Sequence, residues 1–273
     1  LNKNLFEEIK KELDSFDGDV GFYYKNLITQ EEFKYNENNK FLAASIVKLP
    51  LLAVVYYLVE KGEISLEDKI LIKDKEKKDA CGVIKHMPKD IIMDLGTLCK
   101  LMIVISDTTA TNAVFNYLGN EKVIDTLIKL DLYDTQFNRA YFDDYRESIG
   151  INNYFTPKEI GYLLEKIFKR ELISEKASFE IDNILRQQQI NHKICGKLPM
   201  DYPVSHKTGE EEDKTHDVGI VYSKEPFVIC FASYKVDLYR YEDFIRRRTY
   251  DIVKSIDENL SIYDEINNIK LHF

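Results

Sequence analysis

The chain has 273 residues, 44% hydrophobic and 31% charged, which at about 150 residues per domain is one large or two modest units with enough bulk for a sizeable core. That balance excludes collagen-like, coiled-coil and disordered architectures. Thirty-eight basic against 47 acidic residues leave a net charge of −9, which repels a phosphate backbone and argues against a nucleic-acid partner.

In chain order, Leu5, Ile9, Leu13 and Phe16 recur every three or four residues, so Asn4 to Phe16 reads as a helix with one buried stripe. A hairpin follows, with strands at Val20 to Tyr24 and Glu32 to Tyr35. From Phe41 to about Ile194 helical periodicity dominates: Ser45 to Lys61, Leu95 to Ser106, Thr109 to Leu118, Glu121 to Leu130, Pro157 to Arg170 and Ser174 to Gln189. Two long loops are expected inside this stretch, Ile70 to Asp94 and Asp131 to Thr156, and the second is a candidate part of a site. Strand signals return in Val204 to Thr208, His216 to Tyr222 and Phe227 to Tyr234, before a helix from Tyr239 to Asn259. Early and late strands then share one sheet. The expected class is α/β (α+β): a mixed, mainly antiparallel sheet from both chain ends, flanked by helices, with an inserted all-helical lobe. The whole chain, 1–273, reads as one catalytic unit, with 1–40 plus 198–273 as the α/β lobe and 41–197 as the helical lobe.

The four cysteines, Cys81, Cys99, Cys195 and Cys230, lie too far apart for a zinc motif or a dense disulfide framework and are expected to be buried free thiols. His192, His206 and His216 group loosely without ligand spacing, so no metal and no cofactor is expected. Arg246 to Arg248 reads as a solvated helix face. The longest uncharged apolar run, Leu49 to Val59, is shorter than the about 20 residues that cross a bilayer. Glu7, Glu8, Lys10 and Lys11 break any apolar start, so no signal peptide is read here and the compartment is left open.

Three short motifs carry chemistry. Ser45 and Lys48 sit three residues apart, on one face of a helix that is apolar nearly all round. Desolvation there should lower the lysine pKa, and a neutral amine beside a hydroxyl can take its proton. Ser106-Asp107-Thr108 precedes a helix containing Asn112, and in isolation it reads as a helix cap. His206-Lys207-Thr208-Gly209 ends a strand, where glycine permits close approach of a ligand to the backbone.

Taken together, S-x-x-K, S-D-[NT] and K-T-G occur in the order found in class A β-lactamases and penicillin-binding proteins. The chain resembles these β-lactamase/transpeptidase-like serine hydrolases over nearly its whole length. The likeness extends to Cys81-Gly82-Val83-Ile84-Lys85-His86-Met87-Pro88, to the run from Leu101 to Asn112, to Thr156-Pro157 and to Asp217-Val218-Gly219-Ile220-Val221.

The resemblance implies that Ser45 becomes acylated, that Lys48 accepts its proton, and that Ser106 protonates the departing nitrogen. It implies that Lys207 and Thr208 hold the substrate carboxylate, that Asp107 and Asn112 fix the surrounding loops, and that the amides of Ser45 and Glu210 hold the oxyanion. The partner is then a small β-lactam or peptide-like molecule, and a monomer is expected. The family is mostly extracytoplasmic, which places the chain there if a leader has been removed and in the cytoplasm otherwise.

Three departures stand out. Thr108 replaces the usual Asn, which shortens the reach toward a substrate side chain. Glu210 to Asp213 places four acids after the K-T-G, either as a solvated turn or as a filter against anionic substrates. The loop before Thr156 lacks the family's water-activating Glu signature; its carboxylates are Asp143, Asp144 and Glu147, of which Asp143 is the first candidate for the base. The expected activity is β-lactam opening through an acyl-enzyme. The alternatives are a D-alanyl-D-alanine peptidase or esterase and a slow-turnover penicillin-binding sensor.

Overall fold

The structure is a computed structural model and describes residues 3–257 and 260. Helix α1 (Lys3–Leu13) leads into β1 (Asp19–Asn26) and β2 (Glu32–Tyr35), then a two-residue strand β3 (Phe41–Leu42). Helix α2 (Lys48–Glu60) follows a 3-10 turn over Ala44–Val47. The helical lobe continues with β4 (Lys69–Ile72), β5 (Ile91–Asp94), α3 (Leu95–Val104), α4 (Thr108–Leu118), α5 (Asn120–Lys129), α6 (Asp144–Ser148), β6 (Tyr154–Phe155), α7 (Pro157–Phe168) and α8 (Glu175–Leu185). The chain then returns through β7 (Val204–Glu211), β8 (Lys214–Val221) and β9 (Phe227–Tyr234) to α9 (Leu238–Ile256). The last two positions of the helix expected to reach Asn259 lie outside the described residues.

Strands from both chain ends form one antiparallel sheet in the order β2-β1-β9-β8-β7, joined where Phe22 faces Phe231 and Val20 faces Ser233 across β1 and β9. The central strands alternate between two cores, as a period of two residues requires. Phe227, Ile229 and Phe231 face α1 and α9, while Val228, Cys230 and Ala232 face the helical lobe. Both faces are covered, so these strands read as unbroken apolar runs rather than as an alternation.

Four expectations are corrected. The segment from Ile70 to Asp94 is not one loop: Ile70 and Ile72 are buried on β4, which pairs with β5 at Ile70↔Met93 and Ile72↔Ile91. Helix α8 stops at Leu185, short of the expected Gln189, with the Gln188 side chain turned back to the Ile103 carbonyl (3.0 Å). The arginine run is not simply solvated, because Arg247 and Arg248 reach Glu12 on α1 at 2.6 Å each and tie the two terminal helices together. Of the four free thiols, Cys81 is exposed and Cys195 half-buried, so only Cys99 and Cys230 are the buried thiols expected.

Candidate active site

Ser45 lies in the 3-10 turn between β3 and α2, half-exposed among buried neighbours. The residue before it, Ala44, takes a φ of +40°, a conformation that costs a non-glycine residue about 1–3 kcal/mol. The turn runs directly into α2, so Ser45 and Lys48 occupy one turn as their spacing requires. Helix α2 is buried from Lys48 to Tyr56, which takes the Lys48 amine wholly out of water. Burial is the main reason its pKa falls to about 7, and the charges of Cys81, Asp107 and Glu211 offset only part of the drop.

Lys48 Nζ donates to the Ser106 carbonyl at 2.7 Å and to Ser106 Oγ at 3.1 Å. Ser106 also has a left-handed backbone, φ +57°. From the opposite side Lys207 Nζ reaches the same Oγ at 3.1 Å and the Thr208 carbonyl at 2.7 Å. One hydroxyl thus lies between two fully buried amines. Lys207 is pushed well below the usual lysine range by burial first, then by the charges of Lys48 and Lys193.

The two supporting residues act on backbone. Asp107 caps α4 through Ala110 N–H (2.9 Å), and its second oxygen accepts from Val83 and Ile84 N–H at 2.7 and 3.0 Å. That carboxylate fills the space beside Gly82, whose φ of +109° and 2.1 Å clearance leave no room for a Cβ. Thr108, also buried, donates its N–H to the Cys81 carbonyl at 3.0 Å. Asn112 grips the backbone of Tyr141 in both directions, each at 2.8 Å.

On β7, Thr208 is buried, and a Cβ on Gly209 would lie 3.0 Å from Ile46 and 3.3 Å from the Ala43 carbonyl. The glycine therefore lets the strand lie against the turn that carries Ser45, which differs from the ligand approach expected of it. Three of the four acids after the K-T-G are paired, and Glu212 is exposed. Glu210 meets His192 (3.2 Å) and Lys193 (2.7 Å), and the His192 bond is the chief reason its carboxyl falls to about 2. Glu211 and Asp213 both hold Lys214.

The structure does not bring Asp143 to this cluster. Its carboxylate caps α6 through Arg146 N–H (3.1 Å) and pairs with the Arg146 side chain at 3.6 Å. Glu147 is taken by Arg139 at 3.0 Å, and Asp144 is exposed. The loop residue that does reach the cluster is one the sequence reading passed over, Tyr141. Its hydroxyl donates to the Ala44 carbonyl and contacts Ser45, and its ring lies 5.0 Å from Lys48 Nζ. Burial holds the phenol pKa far above its usual value. An aromatic residue in a polar loop carries no sequence signal for such a place.

The three histidines do not converge. His216 donates to the Leu42 carbonyl (2.9 Å) and accepts from Ser233 N–H (3.1 Å), and burial lowers its pKa to about 3. His192, Glu210 and Glu242 place three possible ligand atoms within 4.8 Å, but Lys193 already holds the Glu210 carboxylate that a cation would need. Among the described residues no helix is long and apolar enough to cross a membrane.

A sheet built from both chain ends, a helical lobe and a hydroxyl held between two buried amines at their junction define the β-lactamase-type fold. The structure is similar to a β-lactamase from Sphaerobacter thermophilus (TM-score 0.85, 24% identity, 94% of this chain and 98% of that one). It is also similar to PBP-A (TM-score 0.84, 22% identity, 93% and 96%), of which a variant is known as an acyl-enzyme complex with penicillin-G. In sequence it is 23% identical over 237 residues to β-lactamase VEB-1 of Pseudomonas aeruginosa, covering 80% of this chain and 77% of that one. Residues 4–256 match the model of the β-lactamase enzyme family, and the chain belongs to that family of hydrolases acting on β-lactams.

Proposed function

We propose that this chain is a class A-like serine hydrolase that opens β-lactam rings by acyl transfer to Ser45. The observation that carries the reading is the Lys48–Ser106–Lys207 hydrogen-bonded bridge beside an accessible Ser45. The substrate carboxylate binds Lys207 and Thr208, and its charge restores the proton that burial tends to strip from Lys207. Neutral Lys48 takes the Ser45 proton as Oγ attacks the ring carbonyl, and the amides of Ser45 and Glu210 receive the oxyanion. The carbon–nitrogen bond then breaks, Ser106 gives its proton to the nitrogen, and Lys48 returns one to Ser106. Intact mass spectrometry with a penicillin tests this: a single adduct is expected on the chain and none on Ser45→Ala. An adduct that persists in Ser45→Ala overturns the assignment.

Tyr141 favours slow release over rapid turnover. The loop group beside Ser45, in the place of a water-activating carboxylate, is a phenol held protonated by burial, its O–H already donating a hydrogen bond to the Ala44 carbonyl. Such a group cannot act as a base near neutrality. With a chromogenic cephalosporin the expected trace is a stoichiometric burst followed by slow colour release; linear release from the first turnover overturns this part of the reading.

A further inference from the structure

The edge of the sheet decides where the Glu210 amide points. Among the described residues β7 is the outer strand, and Tyr222 N–H donates to the Pro203 carbonyl at 3.0 Å just before it begins. In an antiparallel ladder hydrogen-bonded pairs alternate with pairs that exchange no backbone bond. Counting along the register from Pro203, residues 205, 207, 209 and 211 bond to β8, and Glu210 faces Thr215 as one of the intervening pairs. The Thr215 backbone agrees with this count: its N–H donates to Ser233 Oγ at 3.1 Å and its carbonyl accepts from the same hydroxyl at 2.7 Å, both toward β9. The Glu210 N–H therefore projects from the outer edge, beside the Ser45 turn against which Gly209 packs. The Thr208 carbonyl points the same way and takes Lys207 Nζ.

A side chain supplies the tie that the ladder omits at this pair. Lys193 is fully buried and is not among the groups that move protons in acyl transfer. Its Nζ donates to Glu210 Oε1 at 2.7 Å and to Thr215 Oγ1 at 3.2 Å, so one ammonium clips the two facing residues together. Thr215 Oγ1 donates onward to Glu242 on α9 at 3.1 Å, and His192 Nε2 lies 3.2 Å from the clipped Glu210 oxygen. The lysine backbone is itself fixed: its carbonyl accepts from Gly196 N–H at 2.8 Å, and the next N–H, that of Ile194, donates to Asp217 on β8 at 3.0 Å. Desolvation offsets most of what such an ion pair gains in stability, and what it fixes is geometry.

We propose, resting on acyl transfer to Ser45 with the Glu210 amide as an oxyanion donor, that Lys193 is a positioning residue that aims this N–H. Side chains alternate along β7, so the Glu210 carboxylate lies on the face opposite Lys207 and the clip acts on the site through the backbone. A donor held in one orientation before reaction needs no reorganisation as charge develops on the carbonyl oxygen.

The test compares the full chain with Lys193→Met and with Glu210→Ala, which keeps the amide and removes its anchor. The two substitutions change the local charge in opposite directions, so a role for Lys193 in holding the substrate carboxylate predicts opposite effects on penicillin affinity. Positioning predicts the same effect from both. The acylation rate constant at saturating penicillin, measured by rapid-quench mass spectrometry, is expected to fall about tenfold or more in each, short of the about 10²–10³ lost with a whole donor. In isotope-edited infrared spectra the ester carbonyl band of the penicillin adduct is expected at higher frequency in both variants than in the parent, as a weakened hydrogen bond requires. A band and rate constant equal to the parent's in either folded variant overturn the proposal, as do effects on the rate constant of opposite sign. If Lys193→Met fails to fold by circular dichroism, the band and rate of Glu210→Ala decide alone. A parent that forms no adduct on Ser45 sinks the acyl-transfer reading and this proposal with it, whereas a normal parent adduct matched by both variants sinks the positioning role only.

Discussion

Acylation should depend on pH through Lys48, and the size of the effect follows from its burial. The amine must be neutral to accept the Ser45 proton. With its pKa lowered to about 7, about half of the molecules are ready at pH 7, about a tenth at pH 6 and about a hundredth at pH 5. A solvated lysine near 10.4 would supply roughly one neutral molecule in 2,500 at pH 7, so burial raises the competent fraction by about three orders of magnitude. Rapid-quench mass spectrometry at saturating penicillin should therefore give an acylation rate constant that climbs tenfold per unit from pH 5 to 6 and levels off above about 7. Saturation matters because Lys207 works in the opposite sense: it binds the carboxylate as a cation, so apparent affinity should weaken as pH rises while the rate constant does not. A rate constant flat from pH 5 to 8 refutes a titrating Lys48 as the proton acceptor.

The same burial makes Lys48 a stability cost. Its folded pKa lies below the unfolded value, so the unfolded chain binds more protons between about 7 and 10.5 and stability rises with pH across that window. Lys48→Met should abolish acylation yet stabilise the fold by up to about 4 kcal/mol at pH 7, a gain that shrinks toward pH 10 in urea titrations; a variant no more stable than the parent at pH 7 contradicts this. Tyr141→Glu, which puts a carboxylate on the loop position that reaches Ser45, should shorten the lifetime of the penicillin adduct at least tenfold by intact mass, and an unchanged lifetime would show that the loop residue does not control release. Asp143→Asn should leave that lifetime within twofold, since the carboxylate caps α6, and a marked change would return Asp143 to the chemistry. Gly209→Val should cut acylation at least tenfold by forcing β7 away from the Ser45 turn, read by the same mass assay; full activity would mean the approach is not needed.

The Lys48–Ser106–Lys207 bridge was largely legible because its sequence signals are local: a serine and a lysine one turn apart, a serine before a capping aspartate, a lysine at a strand end. The two-ended sheet was legible as well, since apolar runs such as Phe227 to Tyr234 bury both faces. What escaped was decided by long-range contact. Ile70, Ile72, Ile91 and Met93 alternate correctly for strands, but the charged run from Lys73 to Lys78 between them drew the whole stretch into a loop. Asp143 looked like a base from its position beyond Arg139; its pairing with Arg146 depends on how α6 winds. Tyr141 gave no signal because its position is fixed by Asn112, 29 residues earlier in the chain and itself readable only as a loop anchor.

These placements explain why the site can hold two buried amines and two left-handed residues at once. Ala44 and Ser106 carry backbone strain, and Lys48 and Lys207 carry desolvation, all within one junction. The cluster relieves these costs only in part: the Ser106 and Thr208 carbonyls and Ser106 Oγ accept from the two amines, but none of these oxygens carries a charge. The constraint comes from outside: Asp107 ties the Ser106 turn to residues 83 and 84, Asn112 ties Tyr141 to α4, and the Asn153 carbonyl receives Ala43 N–H at 2.9 Å. Removing one of these ties should release strain without removing any reacting group. Asp107→Asn, which keeps the volume but gives up one acceptor oxygen, should thus stay folded and still label on Ser45, but more slowly.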